Sequence, residues 1–395
     1  MSKVIVVCGA GGKTSYIKRL SESYKDKKVV ITTTAKIFKP KKYTETIDSH
    51  SFDNDNIIIL GKEYDDKKLM YAGDDELKKA IDFADIVFIE ADGAKYYPIK
   101  IPNNEEPIIP DFLYKKIDKI VIVMGLHSLE RKFKEVCFRY NLCNEIDSEK
   151  IVDFKTVKYI ANKYYINKLK NKCGNISLYL NDFTKNNNIT YKKTAFIILA
   201  SGSSKRFNGN KLIHKFKNLN NKTLFENTIN KISNVRELFK KEDYNLKNIE
   251  TSVIVVSIYD EIINKSFENK DYISVYNYNH NEGISSSIKL GINEALKINS
   301  DSFAFFVCDM HVLESNDIFN MLKYFYYSHK NIGAMFTGER PSNPAVFSSR
   351  YIDEILSLEH DSGALKIIKK NIDDCFFYTI DENKLKDIDT REDLN

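Results

Sequence analysis

The chain has 395 residues, 43% of them apolar and 29% charged, ordinary values for a globular protein with room for two or three domains at ~100–200 residues each. Its net charge of +5 is the small difference between 60 basic and 55 acidic residues. The lysines are spread along the chain and form no basic arm, which argues against a nucleic-acid binder. The first apolar run, Val4 to Val7, is too short for a signal segment, and no stretch approaches the ~20 apolar residues of a membrane helix. A cytoplasmic protein with no membrane partner is expected. Six cysteines without a CxxC pair exclude a disulfide framework or a zinc site and fit a reducing compartment.

In chain order, the first half shows short aliphatic runs at 4–7, 29–33, 57–60, 86–90 and 120–124, with helical patterns between many of them. The spacing predicts buried parallel strands. The first strand feeds Gly9-Ala10-Gly11-Gly12-Lys13-Thr14-Ser15, a glycine turn that opens a helix. Backbone amides in such a turn can face phosphate oxygens, and the helix N-terminus adds partial positive charge. Lys13 would supply a mobile cation and Thr14 a ligand for Mg²⁺. A strict P-loop has glycine where Val7 stands, so this is a shortened variant. The second strand ends in Thr32-Thr33-Thr34 and the fourth in Glu90-Ala91-Asp92-Gly93. An acid after a buried strand commonly has a structural role, but beside a phosphate loop it has the shape of a metal- or water-holding element.

The segments GAGGKTS, ITTTAKI and IEADGAKYYPIKIPNNEEPIIP together resemble the YqeC family, an accessory family linked to selenium-dependent molybdenum hydroxylases. The third segment is the most specific, and Gly125, Leu126 and Arg139 continue the likeness to about residue 140. The resemblance implies a context more than a reaction, with a molybdenum hydroxylase as client; the glycine turn and the two acids are what point to a bound nucleotide, with ATP and GTP both open.

Residues 181–193 are polar, rich in Asn and Lys, and lack an apolar period. They read as a linker with a boundary near residue 190, giving domains 1–190 and 191–395. Beyond it, runs at 195–199, 253–257 and 303–307 again predict strands. Alternation with helices predicts an α/β chain in which each domain has a mostly parallel sheet flanked by helices. Leu199-Ala200-Ser201-Gly202-Ser203-Ser204 and then Arg206 and Lys211 follow the first of these strands. A Gly/Ser loop can wrap a triphosphate, and the two cations can neutralise phosphates and a departing pyrophosphate. The strand Phe305–Val307 runs into Cys308 and the acid Asp309.

The loop is similar to LxxGxSxRxGxxK of the MobA-like nucleotidyltransferases, with Asn208 in place of a glycine. Five more segments resemble that family in chain order. They are Asn277 to Gly291 with Gly283, Ser285 and Ser287; the strand ending at Asp309; Asn343-Pro344; Asp361 within HDSGA, where His360 replaces a glycine; and Asp387 to Leu394 with Asp389. The resemblance implies a Rossmann-like domain. In it Lys211, Arg206 and Asp309 are catalytic, and Leu199 to Ser204, Gly283, Ser285 and Ser287 bind the nucleotide. Asn343, Pro344 and Asp361 contact the acceptor, and Asp309 and Asp389 hold Mg²⁺. Asp389 can also cap a C-terminal helix, and Asp361 can equally close a turn. Ser201 stands where the cytidylyl and guanylyl branches differ, so the base is read from the DIDT, HDSGA and GISSS segments and from the YqeC-like half. The expected reaction joins CMP from CTP to the molybdopterin phosphate and releases pyrophosphate. A cofactor-binding chaperone without turnover, GTP as donor, and another small phosphate acceptor are the alternatives.

Overall fold

The computed structural model describes residues 2–182, 184, 189–202, 207, 210–241, 244–268 and 272–388. The chain divides into two compact units, residues 1–182 and 183–395.

In the N-terminal unit, β1 (Lys3–Gly9), β2 (Val29–Thr33), β3 (Ile57–Leu60), β4 (Ile86–Glu90), β5 (Lys119–Gly125) and β6 (Ile176–Asn181) form one sheet in the order β6-β5-β1-β4-β2-β3. Every pairing in it is parallel. Side chains alternate across a strand, so Ile5 and Val7 join Phe88, Val121 and Val123 on one face, where Ile17 of α1 (Lys13–Glu22) packs. Val4, Val6 and Cys8 join Ile89, Ile120 and Ile122 in the cluster on the other, with Leu77, Ala80 and Ile81 of α2 (Asp74–Phe83) and Val157 and Ile160 of α3 (Phe154–Ile160). Coverage on both faces is why these strands read as unbroken apolar runs. The chain leaves β1 toward β2 on one side and returns through β5 on the other. That reversal opens a crevice at the carboxyl end of β1, where Gly9–Ser15 begins.

The C-terminal unit has β7 (Lys193–Ala200), α4 (Leu224–Lys241), β8 (Glu250–Ser257), β9 (Ile273–Tyr276), α6 (Ile284–Lys297), β10 (Ser302–Val307), α7 (Ser315–Tyr327), β11 (Ile332–Phe336), β12 (Pro341–Ser348) and β13 (Cys375–Thr379), with α5 (Asp260–Glu268) between β8 and β9. The strand order is β9-β8-β7-β10-β12-β11-β13. β12 runs antiparallel to both of its neighbours, and the other pairings are parallel. Again the first strand is central, and the order reverses across it between β8 and β10. Gly291 of α6 makes close packing possible, since a methyl there would meet Ile197 Cγ2 at 2.4 Å. Among the described residues no helix is long and apolar enough to cross a membrane.

Candidate functional site

In the N-terminal unit, the glycine turn folds back against β5. Gly11 has φ +77°, and a Cβ there would lie 2.4 Å from the Pro98 carbonyl and 2.5 Å from Gly125 Cα. A side chain would therefore push the turn off the sheet edge. Asn181 Nδ2 closes the turn from the end of β6 by donating to the Gly11 carbonyl at 2.7 Å. The amides of the first turn of α1 have no partner within the helix and lie at this edge.

Lys13 is buried rather than free to move. Its ammonium donates to the Gly9 carbonyl at 2.8 Å and lies 3.2 Å from Asp92 Oδ1 and 3.6 Å from Glu90 Oε1. Burial alone would lower its pKa, but Asp92 and Glu90 outweigh that and hold it above the ordinary lysine value. Thr14 Oγ1 donates to Glu90 Oε2 at 2.9 Å, and the Gly9 amide donates to Asp92 Oδ2 at 3.0 Å. The expected phosphate-loop residues and the two acids after β4 are thus brought together, while Ser15 is exposed. Burial pushes the Glu90 carboxyl up, against the pull of Lys13 and Thr14.

The ion network continues inward. Lys100 is fully buried, 3.4 Å from Asp92 Oδ2 and 2.9 Å from Glu106 Oε2. Arg139 pairs with Glu106 from the other side. Burial would raise the Glu106 carboxyl, but Lys100 and Arg139 hold it below the usual glutamate range. Three cations thus face three carboxylates, which is how charges are tolerated in a protein interior. Lys100, Glu106 and Arg139 all lie in the segments that carried the YqeC likeness.

His127 packs beneath Gly125, whose Cβ position would be 2.6 Å from the imidazole Cε1. Burial, aided by the nearby Arg131, lowers its pKa from 6.5 to about 3. The folded unit therefore keeps His127 neutral in a range where the unfolded chain protonates it. More protons bound in the unfolded state means that stability falls as pH drops, at about 1.4 kcal/mol per pH unit between roughly pH 6.5 and 3. The depressed Glu106 acts in the same direction below its ordinary range. Urea unfolding of the N-terminal unit across this window should show the slope, and His127→Gln should flatten it. An equally steep slope in the variant would contradict a neutral buried His127.

In the C-terminal unit, β7 ends at Ala200, and Ser201 and Gly202 follow it out of the sheet. Ser201 Oγ donates to the Val256 carbonyl at 3.1 Å, and Ser257 Oγ to the Ala200 carbonyl at 3.0 Å. Tyr259 Oη donates to the Gly202 carbonyl at 2.6 Å. Ser203, Ser204, Arg206, Asn208 and Asp389 lie outside the described residues.

Lys211 is brought onto Asp309 at the carboxyl end of β10. Its ammonium lies 3.0 Å from Asp309 Oδ2 and donates to the Ile388 carbonyl at 2.8 Å. The Ile388 amide in turn donates to the Asp309 carbonyl at 3.3 Å. Asp309 Oδ1 is buried with no hydrogen-bond partner among the described residues. A buried carboxylate oxygen left bare is costly unless something else meets it.

Two further loops border this edge. Asn277, fully buried, donates through Nδ2 to Ser286 Oγ at 3.0 Å and Ser287 Oγ at 2.9 Å, so the Ser287 hydroxyl already has a protein partner. Gly283 precedes α6 with φ +92°, and a Cβ there would meet the His360 carbonyl carbon at 2.4 Å and the Asp361 nitrogen at 2.7 Å. The Ser285 amide donates to the His360 carbonyl at 3.1 Å. The start of α6 and the 360–361 loop are therefore locked together, and Asp361 is exposed beside them. His360 itself has φ +53°, which explains why a glycine would suit its position. Asn343 and Pro344 lie in β12 with a cis bond between them, and Pro344 is buried. Asn181 and Lys231 belong to no motif in the sequence. Their roles appear when the fold pairs them with Gly11 and with the turn that follows Asp309.

Two family models match the chain, one in each unit. Residues 196–375 match the family described as the MobA-like NTP transferase domain, which makes the C-terminal unit a nucleotidyltransferase-type domain. Residues 5–141 match the family described as YqeC protein. The chain thus carries a YqeC domain followed by a MobA-like NTP transferase domain. The uncharacterized protein YqeC of Escherichia coli is 31% identical over 144 residues, covering 33% of this chain and 54% of that protein. The chain therefore spans about half the length of this curated relative. Among solved structures, Rv0371c from Mycobacterium tuberculosis aligns with TM-score 0.40 at 13% identity, over 51% of this chain and 95% of its own. The 4-diphosphocytidyl-2C-methyl-D-erythritol synthase from Anaerococcus prevotii aligns with TM-score 0.39 at 16% identity, over 52% and 94%.

Proposed function

We propose that the C-terminal domain transfers CMP from CTP to the phosphate of molybdopterin and releases pyrophosphate. The observation that carries this reading is Asp309. It stands at the switch point of the sheet, paired with Lys211 through one oxygen and without a partner at the other among the described residues. A hard divalent cation such as Mg²⁺ suits an oxygen donor of this kind, with Asp389 as the second ligand. Bound there, the cation would neutralise charge on the nucleotide phosphates. Lys211, with Arg206, would steady the charge that builds on the α-phosphate and the leaving pyrophosphate. Leu199 to Ser204, Gly283, Ser285 and Ser287 would hold the nucleotide, and Asn343, Pro344 and Asp361 the acceptor. The acceptor phosphate is already ionised, so alignment and charge screening suffice and no protein nucleophile is needed.

The N-terminal domain, residues 1–190 in this reading, would bind ATP or GTP as a shortened P-loop through Gly9, Gly11, Gly12, Lys13, Thr14 and Ser15. Glu90 and Asp92 would hold its metal or water. Lys13 would have to leave the two acids for the phosphates. Its step would serve the same end, maturation of a molybdenum hydroxylase client in the cytoplasm.

The test is pyrophosphate release by purified protein with Mg²⁺, molybdenum cofactor and each nucleoside triphosphate in turn. Release with CTP supports the assignment. Release with GTP alone overturns the cytidylyl part, and cofactor binding without release under any triphosphate overturns the transferase. Because the Ser201 hydroxyl is spent on Val256, Ser201→Ala should leave the ratio of kcat/KM for CTP and GTP within about twofold. A tenfold change would show that this hydroxyl reads the base.

A further inference from the structure

Lys231 lies in the middle of α4, far in sequence from any motif. Its ammonium donates to the carbonyls of Met310 at 3.1 Å and His311 at 2.7 Å. One turn earlier, the Thr228 hydroxyl reaches the Leu224 carbonyl at 2.9 Å and the Cys308 carbonyl at 3.5 Å. The carbonyls on both sides of Asp309 are therefore met from α4. The carbonyl of Asp309 itself accepts from the His311 amide at 2.9 Å, which makes the backbone turn sharply after β10.

A cavity of about 20 Å³, lined by Thr228, Lys231, Phe306, Met310 and Pro344 among others, adjoins this turn. Burial pulls the Lys231 ammonium down to about 8, with Glu314 and Asp317 pulling the other way, so it remains cationic at neutral pH. A cation that joins two adjacent carbonyls on one side of a cavity is a tether, and its removal leaves two acceptors to find new partners.

We propose that Lys231 is a positioning residue that fixes the turn carrying Asp309 and thereby sets the affinity of the metal site. This rests on the reading of Asp309 as the metal-holding acid. The sign of the effect separates positioning from simple electrostatics. Deleting a positive charge near a cation site would by itself tighten metal binding, whereas loosening the turn weakens it.

The experiment is a Mn²⁺ titration by electron paramagnetic resonance on the full chain. The site is defined as the binding lost in Asp309→Ala, and Lys231→Met, Lys231→Gln and Lys231→Arg are compared with wild type. Melting curves identify folded variants, and the glutamine variant stands in if the methionine variant does not fold. The expected result is a Kd for this site raised ~10–100-fold in Lys231→Met or Lys231→Gln, the usual cost of losing an outer partner of a metal ligand. Lys231→Arg should recover most of it. The Mg²⁺ needed for half-maximal pyrophosphate release should rise by the same factor, with kcat at saturating Mg²⁺ within about threefold of wild type. Unchanged or tighter Mn²⁺ binding in the folded variants overturns the role of Lys231 and leaves the Asp309 assignment standing. A wild type that loses no Mn²⁺ on Asp309→Ala overturns the metal site, and the positioning role with it.

Discussion

Asp309→Ala is expected to cut pyrophosphate release by roughly 10²–10³-fold or more, with the melting temperature nearly unchanged. Several kcal/mol of transition-state charge stabilisation pass through a metal-holding acid, and each ~1.36 kcal/mol is a factor of ten. The fold should tolerate the change. Asp309 Oδ1 has no described partner to lose, and Lys211 keeps its bond to the Ile388 carbonyl at 2.8 Å. Asp309→Asn, which keeps the shape and removes the charge, should be nearly as inactive. Steady-state rates with CTP and molybdenum cofactor, taken with a thermal melt, decide the matter. Wild-type turnover in a folded Asp309→Ala protein would remove this residue from the mechanism.

Lys100→Met should be the most damaging single change in the N-terminal unit, costing ~3–5 kcal/mol, the scale for breaking a buried ion pair by removing one partner. The lysine has no exposure to water and sits between Asp92 and Glu106. Its loss takes the shared cation from two buried carboxylates: Asp92 keeps Lys13, the Gly9 amide and the Tyr165 hydroxyl, and Glu106 keeps Arg139. Hydrogen exchange of the β1 and β4 amides reads this directly, and protection there should fall by that amount while the β7 amides keep theirs. Undiminished protection in β1 would mean that the network contributes little to the fold and that Lys100 serves the ligand instead.

Much of the architecture is legible in the sequence because its most buried parts have a simple grammar. Val4–Val7, Ile86–Ile89 and Phe303–Val307 are strands covered on both faces, so they are unbroken apolar runs ended by glycine or an acid. The edges are harder. β6 is half-buried along most of its length, and its last residue, Asn181, has the composition of the linker that follows. β12 opens with Pro341-Ser-Asn-Pro344, residues that elsewhere announce a turn. It is an antiparallel insertion that no periodicity rule for parallel sheets anticipates.

The same division holds for the site. Lys211 and Asp309 were visible because each follows a strand at a recognisable offset, and the structure brings them within 3.0 Å. Lys13 looked like a free cation because sequence does not show that Glu90 and Asp92 will fold back onto it. Lys231 left no trace, since a lysine in an amphipathic helix reads as solvent-facing until the turn after β10 is seen above it.

The bond from Asn181 to Gly11 has a practical meaning for dissecting this chain. It makes the glycine turn depend on a residue ~170 positions away, at the far border of its own unit. A truncated N-terminal half that stopped at the end of the family match, residue 141, would lack β6 altogether. It would expose β5 as an unprotected edge, open to pairing with other molecules. Nucleotide-binding assays on such a fragment would measure the missing strand as much as the turn, so a separated half needs to run past Asn181.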